Sequence, residues 1–477
     1  MEIKRSDANP FFFIRTLREK LQGGGSLRGH AFRGGTWLGL SGAFEQMFRF
    51  GRSVLLTRLL APEAFGVMAI IYSSSAIVDM LAEIGVKEAI IQNPKGHDDK
   101  FVNSAWWLAF CRGLGIYILL FSAAPWIARF YGNPEFVSLM RVALLSIVFQ
   151  GAQSSRAYVA LKEMKFKQWS IIQSGSGVCG TLIVVALAFF VRNVWALALG
   201  NAAESGVRCI ISYVLCPFRP RLQLDTEPLS DLLHFSKGVF GLSFLNFIFS
   251  RADIFVLGKL YPAAELGVYT MAVYLIQVPT SFIIGVLSQT LMPSFARIQE
   301  DSVRINRILV RVTSVLLIFA MPTLIFIIFS SRSLLSLLYG PRYAAASSVL
   351  TVAALVAIVN LANNLITMVF YATGRPYLHR RCVFIMAMLM VATIYTAARY
   401  FGLVGGQMAA LAAVVVGYLS QLVAIRRLTR LDLVGYTKTF PFVLAVSCGV
   451  LGVLLGIRQF VVANQPFVSL IFGMSGC

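Results

Sequence analysis

The chain has 477 residues, of which 57% are apolar and only 13% charged, with a mean hydropathy of +0.75. A soluble globular domain carries about 25% charged residues, so the composition excludes a water-soluble protein and indicates an all-α polytopic membrane protein. The net charge of +21 does not indicate nucleic acid, because the basic residues lie between apolar runs rather than in one patch.

Residues 1–35 read as a basic, glycine-rich cytoplasmic arm; Phe11-Phe12-Phe13-Ile14 is too short for the apolar part of a signal peptide. Beyond it, apolar runs of about 20 residues recur, the length that crosses about 30 Å of hydrocarbon as helix. They fall at 37–60, 65–86, 102–127, 136–159, 168–191, 194–216, 236–260, 266–291, 308–330, 344–371, 380–400, 402–425 and 438–459. A last run, 461–474, is interrupted by Asn464, Gln465 and Pro466. The expected total is 12–14 transmembrane helices.

Alternate connections are rich in lysine and arginine, which places the N-terminus on the cytoplasmic side. The outer connections are too short for an extramembrane catalytic domain. Seven cysteines form no CxxC pair and four histidines share no ligand spacing, so no metal site is expected.

An internal repeat organises the chain. The hinge Leu60-Ala61-Pro62-Glu63-Ala64-Phe65-Gly66-Val67 returns as Tyr261-Pro262-Ala263-Ala264-Glu265-Leu266-Gly267-Val268, with Gly66 and Gly267 offset by 201. Phe130-Tyr131-Gly132-Asn133-Pro134 returns as Leu338-Tyr339-Gly340-Pro341 at an offset near 208. Six spans repeated is an even number, so the halves enter the membrane the same way. They should form two six-helix bundles related by a pseudo-two-fold along the membrane normal, enclosing a cleft. The expected organisation is a 1–35 arm, a 36–217 N-terminal lobe, a 218–235 cytoplasmic linker, a 236–430 C-terminal lobe and a 431–477 tail of one or two extra helices.

The stretches Arg251-Ala252-Asp253-Ile254-Phe255-Val256-Leu257-Gly258-Lys259-Leu260 and Ala157-Tyr158-Val159-Ala160-Leu161-Lys162-Glu163-Met164-Lys165-Phe166 resemble polysaccharide transporters of the Wzx type. So does Glu265-Leu266-Gly267-Val268-Tyr269-Thr270-Met271-Ala272. These transporters belong to the multidrug/oligosaccharidyl-lipid/polysaccharide flippase superfamily, and the likeness covers roughly residues 36 to 430. It implies flipping of an undecaprenyl-diphosphate-linked oligosaccharide across the bacterial inner membrane by alternating access, for exopolysaccharide, capsule or O-antigen. It implies no enzyme activity and no cofactor beyond H+ or Na+ as a coupling ion. Implied partners are lipid-linked oligosaccharide, membrane lipids, a polysaccharide polymerase and a chain-length regulator.

Charges at mid-span are costly, about 2.5–3.5 kcal/mol each on insertion scales, and mark function. They are Glu45, Arg49, Arg52, Arg112, Glu204, Arg251 and Asp253. Glu45 and Arg49 are i,i+4 on one helix face, as are Glu204 and Arg208, so each pair has a purely structural reading as an intrahelical ion pair. Arg49 and Arg52 share a face, and one glutamate cannot neutralise both. Guanidinium forks suit a diphosphate. The expected substrate-binding set is therefore Arg49, Arg52, Arg112 and Arg251 with Glu45, joined by Asn246 and Gln150 for sugar hydroxyls. Glu204 and Asp253 are the coupling or orienting acids, and the resemblance places Asp253 at the family's recurrent acidic position. Asp79 and Glu83 read as a solvated pair near Lys87. The rivals are a multidrug/cation exporter of the same superfamily, which would want an acid-rich cleft, and a membrane polysaccharide polymerase, which would want a large outer loop.

Overall fold

The computed structural model describes residues 27–81, 86–221 and 244–432, with scattered helical positions from 436 to 452. The expected arm up to residue 26, the linker from 222, Glu83, the side chain of Asp79, most of the run 438–459 and all of 461–474 lie outside the described residues. Among the described residues every regular element is helical.

The helices follow the expected spans in order. They are α1 Leu27–Leu59, α2 Pro62–Leu81, the short α3 Val86–Gln92, α4 Asp99–Tyr131, α5 Phe136–Ala143, α6 Leu145–Gly151 and α7 Arg156–Lys162. Then come α8 Phe166–Ser170, α9 Ser176–Val191, α10 Val194–Leu215, α11 at 244–260, α12 Ala263–Arg297, α13 Ser302–Leu338, α14 Ser347–Ala372 and α15 Pro376–Thr429. Six of the described helices are long and apolar enough to cross a membrane, and up to seven if the bent pair Phe136–Gly151 plus Arg156–Lys162 is one span. Helices α1 and α10 fall short of that apolarity, and they carry Glu45, Arg49, Arg52, Glu204 and Arg208.

Two departures from the expected spans have local causes. First, α1 begins at Leu27, so part of the basic, glycine-rich stretch is helical. Second, the fourth span is broken by a 55° bend. A break exposes backbone groups that hydrocarbon cannot satisfy, and neighbours supply the partners. Ser154 N–H donates to Ser212 Oγ (3.0 Å) and Ser154 Oγ to Cys216 O (2.7 Å), while Trp106 Nε1 (3.2 Å) and Tyr213 Oη (2.9 Å) donate to Ala152 O. The two expected spans 380–400 and 402–425 are both present, as two helices within α15 that meet at a sharp kink at Gly402, with φ 65° and ψ −150°. That conformation is open essentially to glycine alone.

The chain divides into two compact units, Met1–Leu59 with Ser74–Gly241, and Leu60–Ser73 with Leu242–Cys477. The first is built on the packing of α9 against α10, and of α4 against α5 and α6; the second on α14 against α12, α13 and α15. Within the second unit the repeated hinges meet. A Cβ placed on Gly66 would lie 1.9 Å from the backbone oxygen of Ala263, and one on Gly267 would lie 1.8 Å from that of Pro62. Each contact becomes the other under the 201-residue shift, so a local two-fold axis passes between the hinges. Only glycine permits backbones to approach this closely. The second echo also returns as structure: Gly132 (φ 72°) and Gly340 (φ 108°) close α4 and α13.

Candidate functional site

Helices α1 and α10 bring Glu45, Arg49, Arg52, Glu204 and Arg208 of the first unit together. Arg49 lies ten residues before the end of α1 and Glu204 ten after the start of α10. At about 1.5 Å of rise per residue both sit about 15 Å from the nearest helix end, the middle of a bilayer core.

Glu204 is the hub. Its Oε2 accepts from Arg52 Nη1 at 2.6 Å, and its Oε1 accepts from Arg208 Nη2 at 3.2 Å and Arg49 Nη2 at 3.4 Å. Arg49 also holds Glu45, with Nη2 2.9 Å and Nε 3.0 Å from Oε1. Arg208 Nε donates to Ser176 Oγ at 3.0 Å, and that hydroxyl donates to Gln173 O at 2.8 Å. The Glu204 side chain is 9% exposed, whereas Arg49, Arg52 and Arg208 retain 32%, 20% and 17%. Three guanidinium groups therefore face two carboxylates, with one positive charge in excess and the arginines, not the hub, open at their surface.

Helix α9 makes room for this cluster. A Cβ on Gly180 would lie 2.5 Å from both Cβ and Cγ of Glu204, and one on Gly177 would lie 4.0 Å from Glu45 Cγ. Gly180 is thus the space through which Glu204 reaches its partners. A π-helical turn, Ile171–Gly175, links α8 to α9 and precedes Ser176. Such turns are frequent at functional sites.

In the second unit Asp253 is bonded by Tyr269, not by Arg251. Tyr269 Oη donates to Asp253 Oδ2 at 2.6 Å, Gln407 Nε2 donates to Tyr269 Oη at 2.7 Å, and Ile254 N–H donates to Asp253 Oδ1 at 2.8 Å. Tyr269 and Gln407 are buried. Arg251, half-buried, and Asn246, exposed, lie on the same helix as Asp253. Arg112, half-buried on α4, and Gln150, exposed on α6, belong to the first unit but to other helices.

Sequence reasoning thus named Glu45, Arg49, Arg52 and Glu204, which the fold gathers at one point. It paired Arg208 with Glu204 without placing it in the site, and it missed Gly180. The arginine-to-glutamate bonds between α1 and α10 join residues more than 150 positions apart, for which no local spacing is a signal.

The lipopolysaccharide biosynthesis protein WzxC of Escherichia coli (strain K12) is 23% identical over 83% of this chain and 79% of that protein. The succinoglycan biosynthesis transport protein ExoT of Rhizobium meliloti (strain 1021) is 24% identical over 67% of this chain and 64% of its own length. Among solved structures, the lipid II flippase MurJ in an inward closed conformation superposes with a TM-score of 0.67, covering 90% of this chain and 99% of that one at 14% identity. At that identity the likeness establishes the fold, a polytopic helical membrane protein. The family described as polysaccharide biosynthesis protein matches residues 55–348, more than half of the sequence, and the chain belongs to that family.

Proposed function

We infer that this protein is a flippase that carries lipid-linked oligosaccharide units across the bacterial inner membrane for polysaccharide assembly. The names of the relatives, lipopolysaccharide biosynthesis for WzxC and succinoglycan transport for ExoT, support the pathway. The headgroup is read as a sugar diphosphate on an isoprenyl chain, moved by alternating access with no covalent bond made or broken. The N-terminus is assigned to the cytoplasm from the lysine and arginine asymmetry.

The observation that carries the reading is the excess guanidinium charge at bilayer mid-depth. A wholly structural ion-pair network has no use for a third arginine on two carboxylates, because each unneutralised charge in hydrocarbon is costly. A diphosphate supplies the missing negative charge and matches the fork geometry of arginine. Arg49 and Arg52 would hold the headgroup and Glu204 would orient them. Arg112 and Arg251, with Asn246 and Gln150, would serve the sugars. Asp253 would bind a coupling H+ or Na+, and a polymerase and chain-length regulator would receive the product. A cation exporter of the same fold would need the opposite excess charge.

Complementation separates substrate binding from a structural lock. A cell lacking its own flippase is supplied with wild type, Arg52→Gln or Arg52→Lys. If Arg52 only locks Glu204, the lysine variant, which keeps the charge pair, restores export. If Arg52 holds the diphosphate through its fork, the lysine variant inserts normally and exports no more than Arg52→Gln.

A further inference from the structure

The cations outside the spans differ in kind between the two units. Between Lys259 and Lys438 the sequence contains no lysine, and every cation in that stretch other than its one histidine is an arginine. At one end of the second unit α12, α13, α14 and α15 converge. Asn306 Nδ2 donates to Thr429 O at 2.9 Å, Thr429 Oγ1 donates to Asn306 Oδ1 at 2.7 Å, and Phe295, Ile305, Phe370 and Ile425 share one apolar cluster. Around it stand Arg304, Arg307, Arg380, Arg381, Arg426 and Arg427, all exposed. Among the described residues none of their guanidinium groups makes an ion pair; Arg381 lies 5.5 Å over the ring of Tyr377. The nearby acids are Glu300, Asp301 and Asp432, and Asp301 already caps α13 by accepting from Arg304 N–H at 2.9 Å.

Several cations of the first unit are engaged. Arg156 meets Asp99 at 2.7 Å and Lys165 meets Glu163 at 2.6 Å, while Lys162 Nζ donates to Asn93 O at 2.5 Å and Ile90 O at 3.2 Å. Among the described residues Arg219 and Arg221 of the first unit are exposed without an ion pair as well, so what sets the second unit apart is the gathering of six exposed arginines, and no lysine, around one apolar cluster.

Side-chain chemistry says what should cover them. Arg304 stands in the first turn of α13, where Asp301 already offsets the helix dipole, and Arg307, Arg380 and Arg381 lie in second turns, where the dipole has faded. The guanidinium groups themselves are therefore the anion-binding groups here. Lysine would serve charge sorting across a membrane as well as arginine does; phosphate, however, is bound in two-pronged fashion by arginine alone.

We propose that this end of the second unit is a binding surface for the phosphate headgroups of anionic phospholipid in the leaflet that it abuts. Each phosphate is shared by a guanidinium pair. The inference stands apart from the transport reading, because it concerns resident lipid and no step of a transport cycle.

The test is lipid selection by the purified full chain in phosphatidylcholine vesicles containing a trace of spin-labelled phosphatidylglycerol. Wild type should hold the anionic lipid roughly tenfold over the zwitterionic one, since each nearby basic residue contributes about a few-fold. The set Arg304→Gln, Arg380→Gln, Arg381→Gln and Arg426→Gln should bring the ratio close to unity. The same four changed to lysine keep the part of the preference that charge alone supplies and should fall below wild type by the part that the fork supplies. Lys100→Gln with Lys167→Gln, in the first unit, should leave it unchanged. A wild type without preference, or a lysine set equal to wild type at unchanged thermal midpoint, would overturn the proposal.

Discussion

Replacing Glu204 by glutamine keeps its size and removes the charge on which three arginines converge. In the wild type it accepts one short bond, at 2.6 Å from Arg52, and two longer ones at 3.2 Å and 3.4 Å. Breaking one partner of a buried ion pair costs about 3–5 kcal/mol. The guanidinium groups here keep 17% to 32% of their surface, so water compensates part of that, and the expected loss is at the low end, about 3 kcal/mol. Glu45 touches only Arg49 and is 23% exposed, so Glu45→Gln should cost about 1 kcal/mol. Reversible unfolding in mixed micelles, read by tryptophan fluorescence, gives both values. The ratio is the sharper test, because the micelle reference state cancels. Equal losses from the two substitutions would refute Glu204 as the hub.

Three further outcomes follow from the geometry. Gly66→Ala and Gly267→Ala each force a methyl into a backbone oxygen of the opposite hinge. Each should cost about 2 kcal/mol or more in the same assay, and the pair should fall short of additivity because one separation relieves both clashes; additive losses would count against the local two-fold. Tyr269→Phe removes the hydroxyl that joins Asp253 to Gln407 and leaves two polar groups short of a partner, at about 1–3 kcal/mol each; a loss below about 0.5 kcal/mol would contradict the network. Outside the membrane, the Lys165 ammonium bonded to Glu163 holds its carboxyl below the usual carboxylate range. A lowered folded-state pKa contributes stability above the unfolded carboxylate value that disappears as pH falls through the folded one. The small difference between wild type and Glu163→Gln should therefore be present at pH 7 and shrink as pH falls below the usual carboxylate range, by thermal midpoint.

Much of this was readable from the residues because its causes are local. Runs of about 20 apolar residues placed the helices, and the turn glycines Gly66, Gly267, Gly132 and Gly340 reappear as the close approach and the left-handed helix ends that define the repeat. The pairs Glu45–Arg49 and Glu204–Arg208 follow from helical spacing. What could not be read depends on neighbours distant in sequence. Nothing near Arg52 announces Glu204, and nothing near Gly180 announces that its missing side chain admits that carboxylate. The break before Arg156 rests on Ser212 and Cys216 of another helix. Asp253 is held by Tyr269 and, through it, by Gln407 of α15.

Direct binding of a short-chain isoprenyl diphosphate to the purified protein tests the central assignment most closely, measured by calorimetry in detergent for wild type and for Arg49→Ala with Arg52→Ala. The account predicts that the double variant, still folded by its thermal midpoint, loses binding by at least about a hundredfold, two charge-assisted contacts at about 1.5–3 kcal/mol each. Undiminished affinity in that variant would place the diphosphate elsewhere and reduce the cluster to a structural lock.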